Sequence, residues 1–140
     1  FKRTPFKLHC QIPGDLTMDS YPGPFGQVLT NLLTNSLLHG FEGRASGKVD
    51  ITATRQDDGR VCLEVADNGI GIAPDLLGRI FDPFVTSKLG RGGNGLGLHI
   101  VWNTVNGVLG GAISVDSTPE RGTRFRIILP VVAPSQHSAD

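Results

Sequence analysis

Asp67 closes a run in which Val61, Leu63 and Val65 alternate with Cys62, Glu64 and Ala66. That alternation is the period of a half-buried strand, so the Asp67 side chain is aimed at the same face as three apolar ones. A carboxylate placed there needs hydrogen-bond donors, because burying it unpaired is costly. Gly69 and Gly71 follow, where the backbone can turn sharply and approach a ligand closely. Acid at a strand end and then Gly-x-Gly fits the floor of a pocket. A strand that ends in an Asp-capped turn accounts for the same residues.

Two further groups of residues could do chemistry with a polyanion. Asn31 and Asn35 stand at i and i+4, with His39 one step on, in a row beside Val28 and Leu32. Amides at the edge of a buried stripe can offer oxygens to a hard cation or nitrogens to phosphate. They can also serve as core-edge amides bonded to backbone. Gly92-Gly93-Asn94-Gly95-Leu96-Gly97-Leu98 opens a helix, and free N–H groups at a helix start bind anions. A flexible hinge is the other use of such a run. Phe81-Asp82-Pro83-Phe84 precedes it, with two aromatics able to anchor one end of a lid. Lys88 is then either a point charge for phosphate or a solvated loop lysine.

Other chemistries lack their residues. Gly47-Lys48 is followed by Val49 rather than Ser or Thr, so no Walker loop is present. The glycine run is not preceded by a strand at the distance of a dinucleotide-binding turn. There is no Gly-x-Ser-x-Gly elbow, no acidic pair spaced as in glycosidases, and His9, His39, His99 and His137 have no second ligand at metal spacing.

The elements that must position these groups can be read from periodicity. A strand is predicted over residues 6–12, a turn at Pro13-Gly14-Asp15 and a short extended piece over 16–19. A helix over 24–41 carries Phe25, Val28, Leu29, Leu32, Leu33 and Leu37 at helical spacing and ends at Gly40. Residues 48–67 read as an antiparallel hairpin turning at Asp57-Asp58-Gly59. A short helix opens at Ala73-Pro74 and runs to about Ile80. Residues 81–95 form a long loop of the kind that makes lids. A helix from Leu96 to Val108 has Ile100, Val101, Thr104, Val105 and Val108 on one face. Residues 111–117 and 122–131 make a second hairpin, with Thr123, Phe125, Ile127, Leu129 and Val131 on its inner face. Hairpins with helices grouped between them favour an α+β fold, a mixed and mostly antiparallel sheet with helices on one face.

Bulk properties agree. The 140 residues suffice for one domain, here 1–132, followed by a polar tail over 133–140. Apolar residues make up 39% and charged residues 19%, as in a globular domain. Thirteen basic residues balance thirteen acidic ones, which argues against a nucleic-acid or anionic membrane surface. No apolar run is long enough to span a bilayer, and no signal peptide opens the chain. Cys10 and Cys62 lack metal-ligand spacing and are expected as small buried hydrophobes. The chain begins with Phe1 and is expected to be a piece of something longer.

Taken in order, these motifs resemble the GHKL superfamily, and within it the ATP-binding catalytic domain of sensor histidine kinases. Gln27-Val28-Leu29-Thr30-Asn31-Leu32-Leu33-Thr34-Asn35-Ser36 resembles the N box, and Asp67-x-Gly69-x-Gly71 the G1 box. Phe81-Asp82-Pro83-Phe84 is similar to the F box and Gly93-x-Gly95-Leu96-Gly97-Leu98 to the G2 box, while Gly122-Thr123 stands where the last glycine motif falls. The resemblance implies a two-layer α/β sandwich of the Bergerat type, with ATP between the helices and under a lid. By that likeness Asp67 receives the adenine amine, Gly69 and Gly71 shape its floor, and Ile72 and Thr123 line the base pocket. Asn35 holds Mg²⁺ and Asn31 sits beside the phosphates, the two being the catalytic pair. Gly93, Gly95, Leu96, Gly97 and Leu98 lie against the phosphates.

One position separates the branches. Hydrolysing members place Glu four residues before the Mg²⁺-binding Asn; here that residue is Asn31, and an amide accepts no proton from water at neutral pH. The resemblance therefore implies transfer of the γ-phosphoryl group to histidine. Where many members carry a basic residue three positions after that Asn, this chain has Leu38, so His39, or Lys88 and Arg91, would have to serve. The resemblance implies a phosphoacceptor histidine on a separate helical dimerisation domain, and because none of the four histidines here is followed by an acidic residue, that domain is expected to lie outside this chain. A response-regulator receiver domain would then be reached indirectly. The domain itself is expected to be monomeric, cytoplasmic or the cytoplasmic part of a membrane-anchored sensor, without nucleic-acid or membrane contact. A nucleotide-binding interaction module without phosphotransfer and a GHKL-type ATPase are the alternatives.

Overall fold

The computed structural model describes residues 6–12, 22–37, 41, 43, 46–56, 59–82 and 97–132. Five strands form one sheet: β1 (Phe6–Gln11), β2 (Gly47–Arg55), β3 (Arg60–Asp67), β4 (Ala112–Thr118) and β5 (Gly122–Pro130). Their spatial order is β1-β2-β3-β5-β4. Only β1 and β2 run parallel; the other neighbours are antiparallel, as hairpin connections require. Both predicted hairpins are present, and the sheet is mixed and mostly antiparallel.

Alternation divides the sheet into two unlike faces. Val49, Ile51, Ala53, Val61, Leu63, Val65, Ile113, Phe125, Ile127 and Leu129 point inward and are buried. They meet Val28 and Leu32 of helix α1 (Pro22–Asn35), with Val101, Val105 and Leu109 from the other helical stretch, in a single core. That stretch is α3 (Gly97–Asn103), which widens into a π-helical segment over Thr104–Val108. The opposite face is polar. Glu64 pairs with Arg126 at 2.8 Å and Arg124 at 3.7 Å, and Asp50 with His9 at 3.3 Å and Lys48 at 3.6 Å. Such exposed pairs add little stability, but they keep this face wet and leave the helices on the other.

Several element ends differ from the sequence reading. Helix α1 begins at Pro22, since proline costs no hydrogen bond in a first turn. Its α-helical part stops at Asn35, and the Phe41 N–H closes a wider π-type turn on the Ser36 carbonyl at 3.0 Å. Leu37, expected on the apolar face, lies in that turn and is exposed. Ile100 is exposed as well, because α3 packs through Val101 and its helical successor Val105. Cys10 is exposed rather than buried: β1 is an edge strand, and its side chains from Lys7 to Gln11 all reach solvent. Cys62 is half-buried on the polar face, where burial and Glu64 push its thiol pKa up and Arg126 partly opposes them. The short helix α2 spans Pro74–Leu77, with Pro74 in its first turn. The predicted turn at 13–15, extended piece at 16–19, helix end at 38–40, Asp57-Asp58 of the first hairpin turn, the 83–95 part of the loop and the tail lie outside the described residues.

Candidate functional site

Asp67 ends β3 facing the helices, 9% exposed. Its carboxylate has the donors that burial requires. Ser36 Oγ donates to Oδ2 at 2.9 Å, and the Gly69 N–H donates to Oδ1 at 2.9 Å. Ser36 follows Asn35 directly and is 1% exposed. Its position explains this: Val28, Leu32 and Ser36 are spaced four apart, one stripe along α1 and its closing turn.

The loop after Asp67 is anchored on both sides. Asn68 Oδ1 accepts the Lys48 N–H at 2.8 Å, and the Asn68 N–H reaches the Lys48 carbonyl at 3.2 Å, tying the loop to β2. The Glu120 N–H donates to the Ile70 carbonyl at 2.7 Å, and the Ile72 N–H donates to Ser117 Oγ at 2.8 Å, tying it to the β4–β5 turn. Two glycines make this approach possible. Gly71 has φ +79° and Gly122 φ +114°, conformations that side chains rarely adopt. A Cβ at Gly71 would run into the Thr118 carbonyl, and one at Gly122 into the Asp67 carbonyl.

Thr123, 5% exposed, pairs with Asp67 across the β3–β5 register, so the two side chains share a face. Thr123 Oγ1 lies 2.9 Å from Ser117 Oγ, which also donates to the Gly122 carbonyl at 2.9 Å. Asp67, Gly69, Gly71, Ile72 and Thr123 are thus brought into one compact group at the end of the central strands.

Asn31 and Asn35 are both half-buried on α1. Gln27 Nε2 donates to Asn31 Oδ1 at 3.0 Å, which orients the Asn31 amide along the helix. Asn35 stands next to Ser36, so the Ser36–Asp67 bond places Asn35 relative to the carboxylate. Gly97 begins α3, and Leu98 is half-buried against the core. His39, Lys88, Arg91, Gly93, Gly95 and Leu96, with Leu38 and Phe84, lie outside the described residues.

Sequence reasoning missed three positioning groups. Ser36 and Ser117 sit on inward-facing positions of a helix stripe and a strand, where a hydroxyl must find a partner, and that signal was readable. The third is the clasp on Phe81. His99 Nδ1 lies 3.1 Å from the Phe81 carbonyl, and Asn103 Nδ2 lies 3.2 Å from His99 Nε2. A carbonyl can only accept and an amide nitrogen can only donate, so His99 carries its proton on Nδ1. Trp102 packs on the Phe81 ring at 5.1 Å between centroids, and Phe81 meets Phe125 edge-on at 6.2 Å. The start of the Phe81–Phe84 motif is therefore pinned to α3.

The donor set fits a nucleotide. A buried carboxylate with its remaining lone pairs beside a threonine suits the exocyclic amine of a base. The Asn35 amide oxygen is the hard ligand type that a magnesium ion takes alongside water and phosphate oxygens. Among the described residues no cluster of three or more His, Cys, Asp and Glu could hold a metal. No helix among the described residues is long and apolar enough to cross a membrane.

Comparison with known proteins identifies the family. Residues 21–133 match the family described as histidine kinase-, DNA gyrase B- and HSP90-like ATPase. The chain is 45% identical over 105 residues to the alginate biosynthesis sensor protein KinB of Pseudomonas aeruginosa, covering 75% of this chain and 17% of that protein. It superposes on the catalytic domain of the histidine kinase ThkA with a TM-score of 0.79 at 26% identity, over 94% of this chain and 82% of that one. Full-length ShkA in complex with AMPPNP is similar with a TM-score of 0.72 at 30% identity, over 93% of this chain and 26% of that one. The chain spans 12–23% of the length of the first curated relatives it matches.

Proposed function

This chain belongs to the histidine kinase-, DNA gyrase B- and HSP90-like ATPase family, and from that premise we propose that it is the ATP-binding catalytic domain of a sensor histidine kinase in two-component signalling. It transfers the γ-phosphoryl group of ATP to a histidine on a helical dimerisation and phosphoacceptor domain of the same protein. A response-regulator receiver domain lies downstream of that histidine, and the domain works in the cytoplasm.

Asp67 accepts the adenine amine, held for that task by Ser36 and Gly69. Thr123 and Ile72 flank the base, with Ile72 held by Ser117. Asn35 offers its amide oxygen to Mg²⁺, which when bound neutralises phosphate charge, and Asn31 lies one helical turn back beside the phosphates. His39, Lys88, Gly93, Gly95, Leu96, Gly97 and Leu98 complete the phosphate end in this reading. The observation that carries kinase over ATPase is Asn31. It is a half-buried amide, already bonded to Gln27, at the place where a hydrolase needs a base for water. An imidazole nitrogen is nucleophilic without such a base, so positioning and charge neutralisation suffice.

The test uses the chain alone and the chain with its acceptor domain supplied separately. Alone, it should bind Mg-ATP in a calorimeter without steady phosphate release and without retaining label from γ-labelled ATP. With the acceptor domain, label should appear as acid-labile phosphohistidine there. Asp67→Asn exchanges an acceptor for a partial donor facing the amine and should weaken ATP binding at least about tenfold, a loss of about 1.4 kcal/mol. Steady phosphate release by the chain alone would refute the kinase reading, and unchanged affinity of Asp67→Asn would refute the pocket.

A further inference from the structure

Ser117 Oγ lies within hydrogen-bond distance of three groups, and one hydroxyl has only one hydrogen to give. The Ile72 N–H at 2.8 Å can only donate, so Oγ accepts there. The Gly122 carbonyl at 2.9 Å can only accept, so the Ser117 hydrogen goes to it. The bond to Thr123 Oγ1 at 2.9 Å is then decided: Thr123 is the donor and Ser117 the acceptor. With its one hydrogen turned back to Ser117, Thr123 Oγ1 offers only lone pairs in other directions.

Asp67 pairs with Thr123 across the sheet and also shows only acceptors, since its carboxylate receives bonds from Ser36 and Gly69. Two buried neighbours on one face therefore present the same polarity. A 6-amino group facing the pair can give an N–H to each acceptor, whereas a 6-oxo group in the same place meets lone pairs and leaves the buried acceptors unpaired.

We propose that Ser117 is a specificity-determining positioning residue: by holding the Thr123 proton, it makes the base site acceptor-only and so selects a 6-amino purine over a 6-oxo purine. This rests on the reading of Asp67 and Thr123 as the base end of the ATP site. Ser117 itself acts through Thr123. Without its hydroxyl, the Thr123 hydrogen is released and can turn toward a 6-oxo group.

The test is calorimetric titration of the whole chain with Mg-ATP and with Mg-ITP, whose base differs in having the 6-oxo group and the N1–H that accompanies it. Wild type should favour ATP by at least about a hundredfold, because a site built on hydrogen bonds rejects a group that leaves its buried polar atoms unpaired. Ser117→Ala should lower the ATP-to-ITP ratio at least tenfold, mostly by tighter ITP binding, and Ser117→Thr, which keeps the hydroxyl, should restore it. A merely structural Ser117 would weaken both nucleotides by the same factor, and an unchanged ratio in Ser117→Ala overturns the proposal. Should Ser117→Ala not fold, Thr123→Val decides: removing the second acceptor should also lower the ratio, and an unchanged ratio overturns the proposal. Wild type that binds neither nucleotide refutes the base-site reading itself, whereas wild type that selects ATP with variants that do so equally refutes only the role of Ser117.

Discussion

Ser36→Ala isolates the contact on which the site depends. Ser36 is 1% exposed and its hydroxyl donates to Asp67 Oδ2 at 2.9 Å. The substitution removes one oxygen and no methylene, so apolar packing around Val28 and Leu32 is kept and the cavity term is negligible. What remains is the loss of a donor to a buried carboxylate, worth about 1.5–3 kcal/mol. Asp67 keeps the Gly69 N–H and is 9% exposed, so partial rehydration draws the expectation to the lower half, about 1.5–2 kcal/mol. Urea unfolding followed through Trp102, the one tryptophan of the chain, reads this directly. With an m-value near about 1.5 kcal/mol/M, the midpoint should fall by roughly 1 M at constant m. The same substitution in an Asp67→Asn background should cost less, because a neutral bond is worth about 0.5–1.5 kcal/mol, and the cycle should give a coupling of about 1 kcal/mol. Equal costs in the two backgrounds, or a wild-type cost under about 0.5 kcal/mol, would refute the claim that Ser36 holds the carboxylate.

Gly122→Ala should be among the most damaging small changes in the chain. It combines φ +114° with a Cβ directed at the Asp67 carbonyl, so at least about 2 kcal/mol is expected, read as a melting temperature lower by at least about 6 °C. An unchanged melting temperature would show that the β3–β5 end is looser than drawn. Cys10 should react with a neutral thiol reagent at pH 8 at least about tenfold faster than Cys62, since Cys10 is exposed and the Cys62 thiolate is disfavoured; equal rates, followed by mass spectrometry, would contradict this. The folded state holds the Cys62 proton more tightly than the unfolded chain does. Its stabilising share is therefore complete below the ordinary thiol value of 9.0 and is lost as pH rises through the higher folded value. Cys62→Ala should flatten the alkaline limb of the stability–pH curve, and an identical limb in the variant would count against the shift.

The strands and their inner faces were legible because alternation encodes them: Val61, Leu63, Val65 and Asp67 point inward as read. Alternation does not encode whether a strand is central or at an edge, which is why Cys10 was misplaced. The change of winding at the end of α1 is not legible either, and the predicted end at Gly40 lies outside the described residues. Apolar spacing continues through Leu37, but the winding widens from α to π at Ser36, with a bond from the Phe41 N–H to the Ser36 carbonyl that no propensity scale contains. At the candidate site, the inward placement of Asp67 and Thr123 and the turn at Gly71 are legible in the sequence, while their hydrogen-bond partners are not. Ser36 and Ser117 declare only that an inward hydroxyl needs a partner. Naming Asp67 for one and Thr123 for the other requires the packing of α1 on β3 and the β4–β5 register.

That division matters for how the site works as a unit. In the reading proposed for the site, the base end is built on β3 and β5, and the two asparagines stand on α1, a different layer of the fold. Helices packed on a sheet through apolar contacts alone can slide by small amounts, since dispersion contacts are individually weak and non-directional. A hydrogen bond to a carboxylate is short and directional by comparison. Ser36 and Asp67 supply one such bond between the layers, and Ser36 is covalently next to Asn35. The distance from the Asp67 carboxylate to the Asn35 residue is therefore set by one peptide unit and one buried bond, rather than by the packing of a whole helix. Asn31, one turn back and held by Gln27, inherits the same frame. If the proposed nucleotide site is correct, loosening Ser36 should disturb both of its ends together, whereas Asp67→Asn, which keeps a hydrogen-bonding side chain at that position, should act mainly on the base.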